Sequence, residues 1–134
     1  MQKRNENFFS ALLLSLVLGV PSADARPVPE AIQKVLLPWQ PLSMKLIPDD
    51  VLTIVTKEDR VTQKIYTQAI FSICSTLWEK PKAWRGIKSI RVLNRHAYQG
   101  MVFEGGEKEC LKMGQITSDQ LDIFILGITH AGRE

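Results

Sequence analysis

Two apolar stripes at helical spacing constrain this chain more than any other feature. Val61, Ile65, Ala69, Ile73 and Leu77 recur every fourth residue, and Tyr66, Ile70, Cys74 and Trp78 run beside them. Residues four apart share a helix face, so the pattern predicts one amphipathic helix of about 20 residues. Thr56, Glu58 and Asp59 are expected to open it, a hydroxyl capping free amides and acids facing the positive end of the dipole. Pro81 ends it, because proline lacks an N–H and clashes with the preceding turn.

Such a stripe must be buried against a second layer, and the flanking sequence offers strands. Leu46-Ile47 and Val51–Val55 surround the turn signal Pro48-Asp49-Asp50 and read as a hairpin. Ile87–Leu93 and Ala97–Glu104, separated by Asn94-Arg95-His96 and closed by Gly105-Gly106, read as a second antiparallel hairpin. Between Pro27 and Pro41 a short helix is expected, with Ile32, Val35 and Leu36 on one face and a stop at Pro38. The run Leu121–Ile128 suits a helix begun at Thr117–Gln120, although its β-branched composition also suits a buried strand. The expected class is α+β, one long helix packed on a small antiparallel sheet and stapled by a single disulfide.

The staple follows from the cysteines. Cys74 and Cys110 are the only two, and an even count in an exported chain reads as a disulfide. A redox role would need a CxxC spacing or a basic partner for the thiolate, and Cys74 sits instead among Ile73, Leu77 and Trp78. The bridge would tie the long helix to the exit of the second hairpin.

Export is read from the first 25 residues. Lys3 and Arg4 precede an apolar run from Phe8 to Val20, and Ala23-Asp24-Ala25 has the small-x-small pattern of a cleavage site. A signal peptide cleaved near Ala25 would leave Arg26–Glu134 as a single domain, in the periplasm or secreted. The run falls short of the roughly 20 residues that a membrane span needs. Sparse cysteines and the lack of a glycosylation sequon favour a bacterial envelope.

The net charge of +3 hides a segregation. Lys80, Lys82, Arg85, Lys88, Arg91 and Arg95 lie in a stretch, 80–103, that has no acid, while the rest of the mature chain carries nine basic and twelve acidic residues. Lys82, Trp84, Arg85, Lys88, Arg91, Arg95, His96 and Tyr98 are therefore the candidate partner-binding residues. Trp78 belongs to a core stripe, whereas Trp84, beyond the proline break, is expected at the surface. Alternation along a strand sends Arg91 and Lys88 to opposite faces, so any shared basic surface must wrap an end or an edge. The competing reading is that these cations guard an edge strand against association.

No catalytic signature accompanies this surface. His96 and His130 are isolated, and nucleophile-elbow, phosphate-loop and dinucleotide motifs are absent. No metal site or cofactor is expected: Glu104, Glu107 and Glu109 include a lysine among them and lack calcium-loop spacing. The sequence thus points to a small exported, non-catalytic binding module, with an inhibitor or immunity protein as the type. Its partner would be an envelope or secreted protein with an acidic surface, and nucleic acid is not expected. One alternative is an accessory protein contacting anionic lipid or cell-wall polymer; another is a small hydrolase built from carboxylates distant in sequence.

Overall fold

The computed structural model describes residues 25–132; the expected signal peptide, 1–25, lies outside them but for Ala25, as do the last two residues. The chain is α+β. Helix α1 (Glu30–Leu36) runs into a 3-10 turn (Leu37–Trp39), followed by strands β1 (Ser43–Ile47) and β2 (Val51–Val55) and by the long helix α2 (Gln63–Glu79). Strands β3 (Ser89–Leu93) and β4 (Gly100–Phe103), helix α3 (Glu107–Met113), a 3-10 turn (Ser118–Gln120), helix α4 (Leu121–Gly127) and strand β5 (Thr129–Gly132) complete it.

The five strands form one sheet in the order β1-β2-β3-β4-β5. Both expected hairpins are present, yet the sheet is mixed and not purely antiparallel, because β2 and β3 pair in parallel, with Thr53 opposite Arg91. The cause is the connection between them. A long crossover such as α2 returns the chain to the end of the sheet from which β2 began, so the next strand runs the same way. Nor is α2 the sole helix, since α1, α3 and α4 pack beside it around one core.

Helix α2 starts later than Thr56. Its cap is Thr62, whose hydroxyl accepts from the Ile65 amide at 3.2 Å. Thr56 is instead buried at the end of β2, where its Oγ1 donates to the Leu93 carbonyl at 2.9 Å. The segment between them is held by side-chain amides: Gln99 accepts from Val61 N and donates to Val61 O, and Asn94 Nδ2 donates to Asp59 O. These bonds turn what would be the first helical turn into an ordered loop.

Both predicted stripes of α2 face inward, with Tyr66, Ala69, Ile70, Ile73, Cys74 and Leu77 buried. They meet Leu46, Leu52, Ile54, Ile90, Val92 and Phe103 of the sheet, and Ile32, Leu36, Met113 and Ile125 of the shorter helices close the core. Cys74 is bonded to Cys110. Cys110 lies in α3, so the bridge joins helix to helix and not helix to hairpin exit. At the start of α3 Glu109 Oε1 accepts from Gly106 N at 2.9 Å, one half of a capping box, since glycine has no side chain to supply the other. The C-terminal apolar run resolves into helix α4, and the chain then turns into β5 against β4.

Candidate functional site

Register assigns every strand residue to one of two faces. Leu46, Leu52, Ile90 and Phe103 form one row across the sheet, on the face covered by the helices. The row on the opposite face runs Lys45, Thr53, Arg91, Val102, His130. No described helix packs there. Leu93 and Val102 are buried on this second face without joining the core, and Ile47, Val51 and Val55 are half-buried on it.

At its centre two polar groups lack partners. Thr53 is 4% exposed, and its Oγ1 has no hydrogen bond among the described residues. The Nε of its cross-strand neighbour Arg91 is likewise buried and unpartnered. Leaving such groups unsatisfied costs on the order of 1–3 kcal/mol each. Lys45 and His130 sit exposed at the two ends of the row, and the His130 imidazole lies 3.6 Å from Glu104. Helix-free, apolar at its flanks and cationic at its midpoint, this face can take a carboxylate against Arg91.

The candidates drawn from the basic stretch are not brought together. Lys82 and Arg85 are exposed in the link after α2, Lys88 is exposed just ahead of β3, Arg91 is mid-strand, and Arg95, His96 and Tyr98 are beyond its far end. At about 3.3 Å per residue, Lys88 and Arg95 are separated by roughly 20 Å. Two of the cations are engaged locally: Lys88 pairs with Asp50 at 3.7 Å, and Arg95 with Asp59 at 3.5 Å. Arg26 joins Asp50 as well. Asp49 and Asp50 hold the β1–β2 turn with φ of 70° and 60°, a conformation that Asp tolerates better than most residues.

Trp84 is a correction. It is 2% exposed, and its Nε1 donates to Thr76 Oγ1 at 2.7 Å, which folds the link after α2 back onto that helix. The proline break does not release the indole because the half-buried Thr76 hydroxyl on α2 satisfies its single donor. Trp78, placed in the core by its stripe, is half-buried, with Phe71 against its edge. Tyr98 is 64% exposed and leans on His96, ring centroids 5.5 Å apart.

The acidic residues are used one by one. Glu107 accepts from Gly86 N at 2.9 Å, Glu109 caps α3 and Glu104 faces His130. Among the described residues no three His, Cys, Asp or Glu side chains gather as a metal would require. Tyr66 has a displaced titration: burial pushes its phenol above its ordinary value, while its hydrogen bond to Thr129 acts in the opposite direction. With the helices packed around it, Tyr66 is a core group and not an accessible acid.

Sequence reading found Arg91 but not Lys45, Thr53 or His130 as its companions. Their only signal is alternate placement in strands whose pairing order had first to be known.

No described helix is long and apolar enough to cross a membrane. No protein-family model, curated protein sequence or solved structure matches the chain.

Proposed function

We propose that the protein is a small exported, non-catalytic binding module that engages an acidic surface of another envelope or secreted protein, in the manner of an inhibitor or immunity protein. The observation that carries this reading is the pair Thr53–Arg91, two unpartnered polar groups kept at the centre of a helix-free sheet face. Departures of this kind from a fold's own packing rules concentrate at working sites, and the half-buried Arg91 side chain is the part of the pair that a partner can reach. The apolar flank of Val51, Val55 and Ile47 supplies area, and Arg91 supplies a planar donor for a carboxylate. The signal-peptide pattern and the Cys74–Cys110 bridge support an oxidising compartment such as the periplasm.

The test is capture from envelope extract on immobilised protein, read by mass spectrometry beside Arg91→Glu. A protein retained by the natural sequence and lost with Arg91→Glu supports the reading. Equal retention by both removes it.

A second reading rests on a different observation. Lys80, Lys82 and Arg85 are exposed in the link after α2 and form no ion pair among the described residues. Contact with anionic lipid or cell-wall polymer through these groups would weaken steeply with salt. Co-sedimentation with phosphatidylglycerol vesicles at low and high salt tests it, and salt-independent sedimentation contradicts it.

A further inference from the structure

We infer that the outer edge of β5 accepts an extended acidic strand from a partner protein, which lengthens the sheet. This edge is separate from Arg91, although the two surfaces adjoin at His130.

Hydrogen-bond phase shows what the edge offers. Glu104 N donates to Ile128 O at 2.8 Å, so residues 104 and 128 are a bonded pair. Antiparallel pairing alternates bonded and non-bonded pairs, so Val102 with His130 and Gly100 with Gly132 are bonded also. The backbone groups of Thr129 and Ala131 therefore point away from β4, toward the open side. The Ala131 carbonyl is within 2.8 Å of the His130 Nδ1, which leaves both amides and the Thr129 carbonyl for a partner strand.

The two edges of the sheet are treated differently. At β1 the Arg26 amide donates to Leu46 O at 2.9 Å, forming a bridge, and Lys45 lies exposed on the strand. Cover and lysine are devices that keep edges from pairing. Strand β5, Thr-His-Ala-Gly, has neither lysine nor proline, and no described strand lies on its outer side.

A groove of about 650 Å³ accompanies the open edge. Met101, Leu126 and Tyr98 give it apolar walls, and Arg60 joins the lining next to Val61, whose backbone is held by Gln99 beside Gly100. Arg60 is exposed and has no ion pair among the described residues, and the groove lining contains no Asp or Glu. Charge complementarity thus selects a strand with a carboxylate near Gly132. A second copy fits less well, because among the described residues β5 brings no carboxylate to Arg60. Main-chain bonds would supply affinity and the groove would read alternate side chains, as in other cases of strand addition.

The probe is acetyl-(Val-Glu)4-amide, with acetyl-(Val-Lys)4-amide as its counterpart, titrated into the purified protein and read by amide NMR. The expected result is saturable binding of the glutamate peptide, with the largest shifts at Thr129 and Ala131. Arg60→Glu should weaken it by roughly tenfold or more. Ala131→Pro removes an outward amide at an exposed edge position, where proline is tolerated, and should abolish it. Arg91→Glu should leave it unchanged, which separates this edge from the face bearing Arg91. No saturable binding, equal binding of the lysine peptide, or shifts centred away from β5 would overturn the inference.

Discussion

The Trp78 indole donates through Nε1 to the backbone carbonyl of Cys110 at 2.7 Å, and Cys110 is also the residue that Cys74 bonds. Cys74 and Trp78 are one helical turn apart on α2 and hold the same residue of α3. Gly114 gives the indole its space, since a Cβ there would stand 2.8 Å from Nε1. The α2–α3 contact therefore has a covalent link and a polar one side by side.

Removing the covalent link with Cys74→Ala and Cys110→Ala should cost about 4 kcal/mol for a loop with ends 36 positions apart. Urea unfolding of the double variant, and of the natural protein with reductant, measures it. Equal midpoints with and without reductant would show that the bridge adds nothing.

Trp78→Phe keeps an aromatic ring beside Phe71 and loses the donor. A cost of about 1 kcal/mol is expected from the broken hydrogen bond, more where the Cys110 carbonyl stays buried. Thermal unfolding of Trp78→Phe and Trp78→Ala separates the bond from the packing.

Tyr66 should make the fold sensitive to alkali. Its phenol titrates above its ordinary value because it is buried. Above about pH 10 the unfolded chain has released a proton that the folded chain still holds. Stability therefore falls as pH rises through that range. In Tyr66→Phe this fall should be shallower, which denaturant midpoints between pH 8 and pH 11 would reveal, the range being set around the ordinary phenol value of ~10. An unchanged slope would contradict the assignment.

Ala97 occupies the β3–β4 connection with φ of 61°, a left-handed conformation costing a residue with a Cβ roughly 1–2 kcal/mol. Ala97→Gly should raise stability by about 0.5–1 kcal/mol after the added unfolded-state entropy of glycine. A loss of stability would mean that the methyl group packs more favourably than its backbone is strained.

Local patterns were legible where one segment determines its own structure. The stripes of α2 gave the helix and its buried face, and Pro48-Asp49-Asp50 and Asn94-Arg95-His96 marked both hairpins. Cap choice was less so: Thr56 is the expected start and Thr62 the observed cap, because Leu93 and Gln99, distant in the chain, hold Thr56 and Val61 outside the helix. Parallel pairing of β2 with β3 is a property of the whole sheet, not of either strand. Helix α3 had its signals, Gly106 before two acids and Gly114 after Lys112, whereas the four residues of β5 carry almost no strand propensity. Arg91 stood out only as one of six cations. Its distinction, an unpartnered Nε beside Thr53, exists only once the strands are paired.

The most direct measurement is the stability of Arg91→Met and Thr53→Val, alone and together, by urea unfolding. If these groups serve a partner and not the fold, replacing them by apolar residues of similar shape should leave stability unchanged or raise it by about 1 kcal/mol, while partner capture is lost. A fall of more than about 1 kcal/mol in both variants would show that Arg91 and Thr53 hold the sheet together, and would contradict a binding role for this face.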